Sequence, residues 1–184
     1  MIEVKETGIE GLVEIIPAVF SDDRGFFTEI YNRQNFVKSG ITTEFVQDNL
    51  SYSVKGVVRG LHLQYPPHAQ AKLVRAVKGR VLDTVVDIRP GSDTFGKVFQ
   101  CELTDKKNNA LLVPAGFAHG FAALEDSIFL YKCSSHYAHE FEGGICWNDP
   151  ELAINWGIEK PIISEKDSKL PSFKDFQSNF NKVS

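Results

Sequence analysis

Three groups able to do chemistry fall in one short stretch, RGLHLQYPPHAQAKL (59–73): Arg59, His62 and Lys72. Cations set side by side repel, and burying them is costly unless something anionic compensates. The stretch is therefore either a solvated edge or a site for a negatively charged ligand. Its apolar residues alternate as in a β-strand, which puts Gly60, His62 and Gln64 on one face and Leu61 and Leu63 on the other. Imidazole titrates near neutrality and can take up a proton. Lys72 opens the next strand-like run, beyond the short PPHAQ loop. If both side chains face the inside of a small barrel, a base and a cation share one pocket.

Other candidates are spread along the chain. His119 lies in PAGFAHGF, which resembles the second half of the metal-binding pattern of cupin barrels. The first half would need two His one residue apart and a Glu soon after; here His62-Leu63-Gln64 stands there, with no Glu in the following residues. No carboxylate completes an open metal site, and His68, in a Pro-Pro loop, reads as a surface residue. The non-metal reading makes His62 a base and His119 a hydrogen-bond donor to substrate. Arg24 and Glu29, in SDDRGFFTEIY, read locally as a surface ion pair of little energetic weight. Alongside Arg59 and Lys72, the Arg24 guanidinium also suits a phosphate. Gln47 and Asn49 share a strand face in FVQDNLSYS and are either edge decoration or a surface for a sugar or base. Tyr131, in strand-like FLYKC, is by default a core residue, although a phenol facing the lumen can donate a proton. Tyr137 sits in a turn, free to stack on a ring, with Glu142 shortly after. Lys166 and Asp167, in SEKDSK, read locally as solvated charge.

The elements that must position these residues are short. Strand-like runs include LVEIIP (12–17), FFTEIY (26–31), FVQDNLSYSV, VVRGLHLQ, KLVRAVKG, RVLDTVVDI, KVFQCEL, NALLVP, GFAHGFAAL and SIFLYKCSS, punctuated by Gly, Pro, Asn and Asp. Many short strands with frequent turns predict an all-β sandwich or barrel. NRQNFVKSG (32–40) predicts a short helix closed by Gly40. From about residue 140 the chain turns irregular, and 140–184 is expected to wrap around the β-domain, with a short helix or two near its end.

A length of 184 residues suits one domain spanning 1–184. Its 14 Phe, mostly in alternating runs, favour packed β-structure over disorder. A net charge of −4 suggests neither a nucleic-acid nor a membrane-surface role. Cys101, Cys133 and Cys146 show no C-x-x-C spacing and read as reduced thiols. With no signal-peptide pattern and no run of membrane-spanning length, the expectation is a soluble cytoplasmic protein.

Taken together, FSDDRGFFTE, FVQDN, RGLHLQYPPHAQAKLVR, PAGFAHGF, YKC, GICWNDP and SEKD resemble the dTDP-4-dehydrorhamnose 3,5-epimerase family, in the family's order and over residues 3–173. The resemblance implies a cupin-type jelly-roll barrel, a homodimer, and no metal or other cofactor. It makes His62 the base, Asp167 its dyad partner, Lys72 the group that stabilises an enolate and Tyr131 the proton donor. Substrate-binding positions fall on Arg24, Glu29, Gln47, Asn49, Arg59, His119, Glu142 and Lys166, with Tyr137 stacking on thymine. It also implies that N-terminal strands reach the partner's pocket, so that Arg24 and Glu29 serve the other subunit. This chain differs from the pattern in Leu63, where Phe is common, and in lacking a Pro after Trp156. Asp83 stands as a second, lower-ranked acidic partner for His62.

The implied substrate is a dTDP-4-keto-6-deoxy sugar, whose C3 and C5 hydrogens are acidified by the C4 ketone. The expected reaction is epimerisation at both carbons, in dTDP-L-rhamnose synthesis. The alternatives are a mono-epimerase on a related sugar and, from other classes, a metal-dependent oxygenase or a non-enzymatic sugar-binding cupin.

Overall fold

The computed structural model describes residues 2–180. Sequence alternation becomes two stacked antiparallel sheets. The larger runs in the order β1 (Ile2–Glu6), β2 (Val13–Pro17), β10 (Ala110–Val113), β7 (Lys72–Lys78), β12 (Ser127–Cys133), β5 (Gln47–Ser53). The smaller runs β13 (Glu142–Gly144), β6 (Val58–Gln64), β11 (Phe117–Ala123), β8 (Arg80–Asp87), β9 (Val98–Thr104). A separate hairpin, β3 (Val19–Asp22) and β4 (Gly25–Thr28), stands outside both sheets. The architecture is the expected all-β jelly roll.

Each face has its own apolar partner. Between the sheets, Val74, Val81, Val85, Leu103, Leu111, Phe117, Phe121 and Phe129 form the inner core. On the outside of the larger sheet, Ile15, Leu73 and Leu112 pack against Phe36 of α1 (Arg33–Lys38). Asn32 caps this helix, its side chain accepting from the N–H groups of Gln34 and Asn35. The outside of the smaller sheet, with Leu61, Leu63, Val86 and Ala118, lies under Ile145, Trp156, Phe173, Phe176 and Phe180 of the C-terminal segment. Leu61 and Leu63 thus point away from the lumen, and His62 points into it.

Local expectations needed three adjustments. FFTEIY is strand only to Thr28; Tyr31 beyond it turns edge-on to Phe36 and Phe45, which ends the alternation. β1 and β3 are not among the strand-like runs named above, and are extended because β2 and β4 pair with them. Among the described residues after 138, the helical content is limited to 3₁₀ turns at His139–Phe141 and Asp167–Lys169. Among the described residues no helix is long and apolar enough to cross a membrane, and the cysteines are unpaired.

Candidate active site

The site is built where β6 and β11 approach closely. Gly60 has φ +120°, and a Cβ there would lie 2.6 Å from the Gly120 Cα; a Cβ on Gly120 would lie 2.5 Å from the Arg59 carbonyl. Glycine in both strands lets the backbones meet, with His62 directly opposite His119. The Gly60 N–H donates to Asp167 Oδ2 at 3.1 Å, and Asp167 Oδ1 lies 2.6 Å from His62 Nε2. Asp167 is only 3% exposed, which overturns its local reading as solvated charge, while Lys166 beside it is exposed as expected. Burial pushes its carboxyl up, but the His62 hydrogen bond and charge, the Gly60 N–H and the Ser164 hydroxyl together hold it below the ordinary value. An ionised Asp167 accepts from Nε2–H and leaves Nδ1 as the nitrogen of His62 free for the cavity.

Asp83 is not the partner of His62. It sits on β8 with Oδ2 2.9 Å from His119 Nε2, and is fully buried. The alternation of β8 directs it inward beside β11, whereas His62 takes its carboxylate from the far end of the chain. With Nε2 occupied by Asp83, His119 keeps only Nδ1 for a ligand, a narrower role than the free donor anticipated.

Two adjoining cavities of about 230 and 240 Å³ share His62, Lys72, Tyr131 and Glu142 in their walls. They lie between the β5 edge of the larger sheet and the β13–β6 edge of the smaller. Lys72 and Tyr131 project from β7 and β12, across from His62 on β6. Burial lowers the Lys72 pKa, opposed by Cys133, Asp83 and Glu142. Burial raises that of Tyr131, helped by Cys133 and Glu142 and opposed by Arg59. The phenol is therefore protonated at neutral pH. Tyr131 also packs against the inner core, as its strand-like surroundings suggested, while lining both cavities.

At the mouth, Glu142 Oε2 accepts from Lys166 Nζ at 2.6 Å and from the Tyr137 hydroxyl at 2.9 Å. Gln47 Nε2 donates to Asn49 Oδ1 at 3.0 Å, and both line a cavity wall. Arg59 lines the second cavity and is steadied by Ser53 Oγ and the Tyr52 carbonyl. Arg24 and Glu29 are elsewhere. Arg24 forks onto Asp22 at the exposed tip of the β3–β4 hairpin, and Glu29 accepts from Asn32 and Asn35. The surface pair expected between them does not form, because each has a nearer partner.

Sequence reasoning missed Ser51, Gln64, Gln70, Phe121, Phe129 and Cys133 in the cavity walls. Strand parity carried a signal for some of them: Ser51 continues the Gln47–Asn49 face, and Gln64 the His62 face. His68 packs on Phe141, and among the described residues no cluster of three or more His, Cys, Asp or Glu could hold a metal ion.

Comparison with known proteins adds a family to this geometry. Residues 6–175 match the family model described as dTDP-4-dehydrorhamnose 3,5-epimerase. The chain is 49% identical to the dTDP-4-dehydrorhamnose 3,5-epimerase of Pseudomonas aeruginosa, over 86% of this chain and 89% of that protein. It resembles the crystal structure of the Bacillus anthracis epimerase with TDP and PPi bound: TM-score 0.92, 43% identity, 94% of this chain and 100% of that one. It equally resembles the Legionella pneumophila dTDP-6-deoxy-D-glucose-3,5-epimerase in complex with dTDP-4-keto-L-rhamnose: TM-score 0.92, 40% identity, 96% and 95% covered.

Proposed function

Since the chain belongs to the dTDP-4-dehydrorhamnose 3,5-epimerase family, we propose that it inverts C3 and C5 of dTDP-4-dehydro-6-deoxy-D-glucose with His62, Lys72, Tyr131 and Asp167 as its catalytic set. The product is dTDP-4-dehydro-L-rhamnose, and the enzyme is an isomerase of dTDP-L-rhamnose biosynthesis.

One observation carries the assignment of roles: the His62–Asp167 pair and the Tyr131 phenol stand on opposite walls of a shared cavity, with Lys72 lining it too. His62 Nδ1 takes the hydrogen from the carbon next to the ketone, and Asp167 stabilises the imidazolium that forms. The electron pair moves to the C4 oxygen, where the Lys72 ammonium offsets the charge. Tyr131 returns a proton to the opposite face, inverting the carbon; solvent resets both groups. Arg59 and Lys166 face the diphosphate, and Tyr137 stacks on thymine. Gln47, Asn49, Glu142 and His119 hydrogen-bond the substrate.

Arg24 and Glu29 serve the pocket of a second copy in a homodimer. Supporting this, the hairpin that carries Arg24 exposes Val19, Phe20, Phe26 and Phe27, and β5 exposes Leu50 and Tyr52, large apolar side chains of the kind that a second subunit covers. The chain works as one catalytic domain, in the cytoplasm, where its thiols stay reduced.

The test is proton NMR in deuterium oxide with dTDP-4-dehydro-6-deoxy-D-glucose. Deuterium is expected at both C3 and C5. Entry at a single carbon makes the protein a mono-epimerase, and entry at neither removes the reading.

A further inference from the structure

Residues 135–138 have no regular secondary structure, yet their backbone is held group by group by three glutamine side chains from separate parts of the chain. Gln70 Nε2 donates to the Ser135 carbonyl at 2.7 Å, and Gln64 Nε2 to the His136 carbonyl at 3.2 Å. Gln47 Oε1 accepts from Tyr137 N–H at 2.9 Å, and Gln64 Oε1 from Ala138 N–H at 2.8 Å. Gln64 Nε2 also donates to the His68 carbonyl at 2.7 Å, tying in the loop before β7. A side-chain amide carries no charge and offers its donors and its acceptor on separate atoms, so it can bind a backbone N–H and C=O at once. Gln64 is 4% exposed, a position where a strand ordinarily keeps an aliphatic residue and where an amide is costly unless fully bonded. The segment so held carries Tyr137, which is 54% exposed and whose hydroxyl is held at the other end by Glu142.

We propose that Gln64 and Gln70 are positioning residues for Tyr137: they fix the backbone beneath its ring and so set the affinity for the nucleotide base. This rests on the reading of Tyr137 as the stacking residue. A ring held before the ligand arrives loses less freedom on binding. On this proposal the amides act through Tyr137: their hydrogen bonds go to the backbone of 135–138 and of His68.

The test is a mutant cycle read by calorimetric titration with dTDP and by KM and kcat for the keto sugar. The proteins are wild type, Gln64→Met, Gln70→Ala, Tyr137→Ala and the two doubles with Tyr137→Ala. Each single glutamine variant should bind dTDP about three- to tenfold more weakly, the effect of one or two hydrogen bonds, with the loss in KM rather than kcat. In the doubles the glutamine effect should vanish, because its route is gone. Should Gln64→Met fail to fold, Gln70→Ala with its double decides alone. Glutamine effects that persist undiminished without Tyr137, or that fall on kcat, overturn the proposal. If Tyr137→Ala weakens dTDP while both glutamine variants bind normally, only the cradle is refuted. If Tyr137→Ala binds like wild type, the stacking assignment falls with it.

Discussion

In the proposed mechanism His62 and Tyr131 divide one reaction between two walls of a cavity that both line, and the division can be tested residue by residue. His62→Asn should abolish deuterium entry at both carbons. Tyr131→Phe should lower inversion by about 10²–10⁴-fold, the usual worth of a positioned acid. In that variant His62 still withdraws hydrogens from its own face, so NMR should show label entering without change of configuration. Equal loss of exchange and inversion in Tyr131→Phe would contradict separate acid and base. Asp167 gives a second prediction. Its carboxyl is held below the ordinary value in the fold, so it contributes stability above the unfolded-state pKa and loses it as pH falls through the folded one. Urea unfolding of wild type and Asp167→Asn should differ most at neutral pH and converge in acid; a gap that widens in acid would reverse the sign.

Elements decide how finely those residues are placed. The close approach of β6 and β11 depends on small residues on both strands. Gly120→Ala puts a methyl group 2.5 Å from the Arg59 carbonyl, and something in the pair must move. Overpacking of this kind costs about 1–3 kcal/mol, and here the displaced strand carries His62. Chemical denaturation should show the loss, accompanied by reduced turnover; an unchanged midpoint would mean the strands have slack. The C-terminal segment plays a comparable part for Asp167. Cys146 N–H donates to the Pro171 carbonyl at 2.7 Å, and Phe173 N–H to Asp149 Oδ2 at 2.8 Å. These bonds, with Phe173 and Phe176 packed on the outer face of the small sheet, anchor the chain just beyond the 3₁₀ turn that carries the carboxylate.

At the scale of the whole molecule, the position of Arg24 sets a further prediction. It lies on an exposed apolar hairpin, bonded to Asp22 and outside the walls of the cavities. If it completes the pocket of a second copy, Arg24→Ala and His62→Asn are each inactive alone. Mixed after unfolding and refolded together, they should recover activity, because one site of the heterodimer has both residues intact. Two inactive proteins that stay inactive when a heterodimer is demonstrably present would place Arg24 in its own subunit's site or outside the chemistry.

Strand content, the inward face of β6 and the candidate base all follow from the sequence, because period-two alternation and the titration range of imidazole are local properties. The motifs in order, including SEKD, also point to the family. Local pattern could not separate Asp167 from Asp83 as the partner of His62, since both are acidic residues distant from it along the chain; the answer depends on which face of which sheet the C-terminal segment covers. Nor could it find the glutamine cradle, whose members on β5, β6 and the loop before β7 meet residues 135–138 only after the sheets have stacked. Alternation says which way a side chain points. What it points at is settled by long-range pairing and packing, and it was there that Asp167 went to His62 and Asp83 to His119.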